Sequence, residues 1–146
     1  MTNKIEKLLE GARTEYDVMV RLAPRLAGRP CVIKIKEPAT KGSWAETTLR
    51  DDGVFEVRIA PWIDEDQTMR SYLHELAHIR LHGPHMAPSN LHKAAGRTVT
   101  SDNIPTWEDQ ADALRDEWLR YGRRHAPAGY SEDGGVLVAL MTYYTT

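Results

Sequence analysis

Two histidines four residues apart, with a glutamate beside the first, stand out in the run His74-Glu75-Leu76-Ala77-His78. On a helix a four-residue step advances by roughly 400°, so both imidazoles leave nearly the same face one turn apart. That spacing lets one nitrogen of each ring sit at roughly 2.0–2.1 Å from a single zinc ion. Glu75 is too close in sequence to be a comfortable ligand, but it can reach a water on the metal and take its proton. The spacing is what hydrolytic zinc chemistry needs.

Two histidines do not hold catalytic zinc, for which three protein ligands and a water are usual. Candidates for the third are Glu108, Asp112, His82, His85, His92 and His125. His82 lies four residues after His78, and a straight helix cannot wrap three such groups around one ion, because the outer two are about 12 Å apart. It fits better beside a ligand, or at the helix C-terminus, where positive charge is favoured. Glu108 opens a downstream helix that can present it to the metal. Asp112, one turn on, can bind in its place or accept a hydrogen bond from a ligand histidine. An extra oxyanion donor would come from Tyr121, Tyr130, His82, His85, His92 or His125, with nothing to choose among them.

The motif has chemical meaning only on a helix. Gln67 to Leu81 reads as one, with Asp64 or Asp66 to cap it and Met69, Leu73, Leu76 and Ile79 or Arg80 at helical steps. Gly83-Pro84 is expected to end it. A capped amphipathic helix disfavours the alternative of two surface histidines and an ordinary glutamate. Upstream, apolar residues from Ile5 to Leu26 follow helical spacing, ending near Pro24 to Gly28. Strands are expected at Cys31–Lys36, Trp44–Leu49 and Val54–Ile59, with a turn at Asp51-Asp52-Gly53. They suggest a small antiparallel sheet whose edge offers a docking site for an extended peptide. Gly83 to Pro105 reads as a long loop. Trp107 to Tyr121 reads as a helix capped by Thr106, with an apolar stripe of Trp107, Ala111, Leu114, Trp118 and Tyr121, closed by Gly122 and a basic tail. The apolar end Val136 to Tyr144 is expected to pack on the core as a strand or helix, or else to form a contact surface.

The chain has 146 residues, which fits one α+β domain over 1–146. Its net charge of −2 gives no sign of general nucleic-acid binding. The single cysteine, Cys31, excludes an internal disulfide framework. With no apolar run of membrane length and no signal-like start, a cytoplasmic location is expected. Nothing bears on oligomeric state.

The helix motif, extended as His74-Glu75-Leu76-Ala77-His78-Ile79-Arg80-Leu81-His82-Gly83 and followed by Glu108-x-x-Ala111-Asp112, resembles the ImmA/IrrE metallopeptidase family. The likeness covers roughly Val54 to Tyr121. It implies a zincin-like domain with an N-terminal helix, a small sheet, a metal-binding helix and a downstream helix. It implies Zn2+ held by His74, His78 and Glu108, and Glu75 as general base. It also implies an intracellular peptidase acting on a protein or peptide substrate, such as a helix-turn-helix repressor. The chain departs from the family pattern after Ala111-Asp112, where Leu114-Arg115 and Trp118-Leu119-Arg120-Tyr121 follow, and shows no separate helix-turn-helix module. Two rivals stand beside this reading. One is a non-cleaving, metal-holding module that captures a repressor or other partner. The other takes His92 as third ligand, which would resemble SprT-like proteases.

Overall fold

Three of the helix starts are closed by a side chain that takes up an otherwise unpaired backbone N–H. The computed structural model of the chain describes residues 10–85 and 103–144, with 103–106 as backbone alone. Thr14 caps α1 (Glu15–Ala27) in a reciprocal box with Asp17, and Asp64 caps α2 (Glu65–His82) in the same way with Gln67. Ser131 caps α4 (Glu132–Leu140), its hydroxyl also donating to Glu15 Oε2 at 2.6 Å. Between α1 and α2 run β1 (Cys31–Ile35), β2 (Ala45–Leu49) and β3 (Phe55–Ile59); α3 (Asn103–His125) precedes α4. The described residues thus make an α+β fold of four helices and three strands. No helix among them is long and apolar enough to cross a membrane.

The sheet is mixed rather than antiparallel. Its order is β1-β3-β2: β2 and β3 form an antiparallel hairpin through the turn at Gly53 (φ 84°), whereas β1 pairs with β3 in parallel. A parallel pair needs a crossover of a dozen or more residues, and the stretch 36–54, containing β2, is long enough to supply one. Period-two alternation reports which face is buried but says nothing about strand direction.

α2 lies at the centre. Met69, Tyr72, Leu73, Leu76, Ala77 and Ile79 are all buried, packed against α1, α3 and the sheet. The Tyr72 hydroxyl donates to Met19 O at 2.8 Å, so the buried phenol is satisfied and α1 is tied to α2. Arg80 adds a second tie, donating from Nε to Leu26 O at 2.8 Å while its guanidinium lies 3.6 Å from the Tyr144 ring centroid. It therefore serves the end of α1 rather than an apolar stripe.

α2 ends at His82 with Gly83 as its C-cap, as expected; the cap is right-handed, with φ −49°, and a 3₁₀ turn, Gly83–His85, follows, whereas both expected boundaries of α3 shift. A Cβ there would lie 2.5 Å from Nε of the Arg29 side chain, which would have to shift to admit it. α3 begins at Asn103, so Thr106 is inside it, and Pro105 sits in the first turn, where its missing N–H costs nothing. It also runs through Gly122 to His125, because Gly122 makes room for Val136 of α4 rather than stopping the helix. The apolar C-terminal stretch is α4, with Gly134 to Leu140 buried. That answers the choice between core and contact surface in favour of core. Of the long loop expected over 83–105, residues 86–102 lie outside the described residues.

Candidate metal centre

Because α2 packs along α3, the histidine face of one meets the acidic first turns of the other. His74 Nε2 and His78 Nε2 stand 3.1 Å apart, one helical turn separating their backbones. Glu108 on α3 reaches both, with Oε2 at 3.1 Å from His74 Nε2 and Oε1 at 2.9 Å from His78 Nε2. These ligand atoms all lie within 4.8 Å of one another, so His74, His78 and Glu108 could hold a metal ion. Donors bound at about 2.0–2.1 Å in a tetrahedral site stand roughly 3.3 Å apart, close to the separations seen. Among the described residues no other group of three or more His, Cys, Asp or Glu has this arrangement.

The electrostatics suit a cation. The two histidines hydrogen-bond Glu108 and hold its carboxyl far below the usual range, which keeps it ionised. Burial opposes charge on His74, but Glu108, Glu75 and Asp112 together outweigh it and raise its pKa. Asp112 Oδ1 lies 2.9 Å from His74 Nδ1, yet that buried nitrogen lacks a fully aligned hydrogen-bond partner. Asp112 divides its contacts, taking Arg115 Nη1 at 3.0 Å as well. It sits beside the ligand and does not replace Glu108 in the cluster.

Glu75 points elsewhere. Its side chain, 4% exposed, accepts a short hydrogen bond from the Thr47 hydroxyl of β2. With His74 it lines a cleft of about 330 Å³ also bounded by Ser43, Trp44, Ser71 and Arg115. The cleft thus has the Glu75 carboxylate and the His74 ring on its wall. Neither Thr47 nor the cleft residues Arg115 and Ser71 were legible as site residues. A threonine in a strand has no chemical signature, and a register placing it opposite Val57 is a tertiary fact.

His82 is buried and faces His78, with Nδ1 to Nδ1 at 3.1 Å. It is the last residue of α2, as expected, and lies beside a candidate ligand; burial lowers its pKa, with the Gln110 hydrogen bond opposing and the neighbouring His78 adding to the effect. Trp107, expected in the core stripe, instead stacks on the His82 ring at 4.4 Å and 5°. Tyr121 does not join the site. It follows Glu108 by more than three turns of α3, about 20 Å along the axis, and its hydroxyl bonds Thr142 Oγ1 at 2.9 Å. His125 packs against Tyr121, and Tyr130 lines a separate depression beside α1. His85 lies 6.4 Å from the Trp107 ring by centroids, and His92 falls outside the described residues. Cys31 has no part in metal or nucleophile chemistry: burial pushes its thiol up to about 12.

Compared with protein-family models, curated proteins and solved structures, the chain gives no match.

Proposed function

We propose that this chain is a zinc-dependent peptidase of zincin type, cutting an extended stretch of a protein substrate. The observation that carries the reading is the His74–His78–Glu108 cluster, which adjoins through His74 a cleft that Glu75 also lines beside β2. Among the described residues β2 pairs only with β3, so its outer edge has backbone groups available to a substrate strand. The ion bound by His74, His78 and Glu108 would supply Lewis acidity to water and carbonyl alike. Glu75 takes the proton of the attacking water at its carboxylate and delivers it to the leaving nitrogen. Thr47 holds that carboxylate in place, and Arg115 and Ser71 are the donors lining the cleft nearby. A cytoplasmic regulator such as a DNA-binding repressor is the substrate class suggested by the resemblance to ImmA/IrrE metallopeptidases that the His74–His78 and Glu108–Asp112 motifs carry.

The test is metal content by elemental analysis on wild type, Glu108→Ala and Asp112→Ala, joined to proteolysis of candidate repressors by wild type and Glu75→Gln. About one zinc per chain is expected, lost in Glu108→Ala and kept in Asp112→Ala and Glu75→Gln. Cleavage is expected to fall by about 10²–10⁴-fold in Glu75→Gln. A wild type that binds its partner and never cuts it, with Glu75→Gln behaving identically, would instead make the chain a metal-holding capture module.

A further inference from the structure

A histidine can give a metal its Nε2 lone pair only if its remaining proton is on Nδ1. Which nitrogen carries it is set by what the other ring edge meets. For His74 that edge meets Asp112 directly. For His78 it meets another imidazole, His82, and the outcome depends on which of the two facing nitrogens bears the hydrogen.

The far side of His82 decides this. His82 Nε2 lies 2.8 Å from Gln110 Oε1 on α3. An amide oxygen offers only lone pairs, so His82 Nε2 must be the donor. His82 is buried, which disfavours its doubly protonated form, and a neutral ring protonated at Nε2 presents a lone pair at Nδ1. That lone pair, 3.1 Å from His78 Nδ1, can only accept, so the His78 proton is fixed on Nδ1. His78 Nε2, which faces His74 Nε2 and lies 2.9 Å from Glu108 Oε1, is then the nitrogen whose lone pair a cation would take in place of a proton shared with Glu108. We propose that Gln110 is a positioning residue which, through His82, fixes the tautomer of His78 that a metal requires.

The geometry supports the relay in two further ways. Trp107 stacks nearly parallel on His82 and so holds the ring plane in which both nitrogens meet their partners. One stretch of α3, Trp107 to Gln110, therefore carries the ring clamp, the ligand Glu108 and the tautomer setter. The relay also avoids a second carboxylate against His78, which is 4% exposed, where an added charge would be costly to desolvate. Were the Gln110 amide reversed, its NH2 would donate to His82, His82 would donate to His78 Nδ1, and a proton would block His78 Nε2.

The inference rests on the metal-centre reading, and two independent readouts separate the two. In metal-free wild type, 15N-resolved imidazole spectra are expected to show His82 protonated at Nε2 with an unprotonated Nδ1. His82 protonated at Nδ1 would overturn the relay, whatever the metal does. Zinc affinity, measured by competition with a chromophoric chelator, is expected to weaken about 10-fold in Gln110→Ala, the low end for an outer partner because the amide meets solvent. Gln110→Glu, which keeps an acceptor, is expected to restore it, with melting temperatures of the metal-free proteins unchanged. Wild-type affinity in Gln110→Ala, alongside lost affinity in Glu108→Ala, would refute the relay and leave the metal centre standing. Undiminished affinity in Glu108→Ala would instead refute the metal centre, and the imidazole spectra would still decide the relay.

Discussion

Thr47 and Glu75 form the contact on which the proposed chemistry depends most directly. Both are nearly inaccessible, at 1% and 4% exposure, and the hydroxyl donates into the carboxylate. A buried carboxylate that loses a donor is left with a desolvation cost of about 1–3 kcal/mol. Thr47→Val keeps the shape of the side chain but removes that donor. It is expected to lower thermal stability and kcat together, while zinc content stays at the wild-type level. Thr47→Ser is expected to recover most of both. An unchanged kcat in Thr47→Val would mean that Glu75 is oriented by something else. His74, His78 and Glu75 were legible in the sequence as candidate ligands and base because the pattern depends on spacing along one helix. Glu108 was legible only through the downstream motif and its resemblance, and the structure brings it to the two histidines. Thr47 and Gln110 needed a strand register and a ring orientation, which no local pattern encodes.

Helix and strand positions follow the same logic. Caps and apolar periodicity located α1, α2 and the body of α3, because those signals act within a few residues. Strand direction and the role of Gly122 were not legible, since they answer to distant neighbours. Gly122 makes the point quantitatively. An alanine inside a helix normally gains about 1 kcal/mol over glycine, yet a Cβ here would lie 2.6 Å from Val136 Cγ1 and 3.3 Å from the α4 backbone. Overpacking of that kind costs about 1–3 kcal/mol. Gly122→Ala is therefore expected to destabilise in denaturant melts, and Val136→Ala in the same chain to relieve part of the loss; simple additivity would disprove the clash. On the sheet, Glu56 of β3 is held by Arg58 at 2.7 Å and Lys34 at 3.2 Å. Arg58 leads in keeping its carboxyl below the ordinary value of 4.5. A lowered folded-state pKa means stability that is present above 4.5 and lost as pH falls below it. Glu56→Gln is expected to cost stability at neutral pH, with the difference from wild type closing in melts carried below that value.

The molecule as a whole brings its site together by docking α3 against α2, and the segment linking them in sequence is not needed to see why. The two helices meet through the buried side chains of Ala111 and Trp118, and the second is pinned in turn by α4 through the Gly122–Val136 approach. An ion held by His74 and His78 on α2 and Glu108 on α3 would bridge two elements thirty residues apart. It binds only when both are in place, so its binding energy adds to folding. At free zinc about 100-fold above Kd the gain is about 2.7 kcal/mol. For a chain of this size that corresponds to a rise of about 5–10 °C in melting temperature. The increase is expected to be reversed by a chelator. It should be absent in Glu108→Ala, although that variant keeps the apolar contacts between the helices. A rise of equal size in Glu108→Ala would mean that the ion binds elsewhere, and the bridge between α2 and α3 would have to be abandoned.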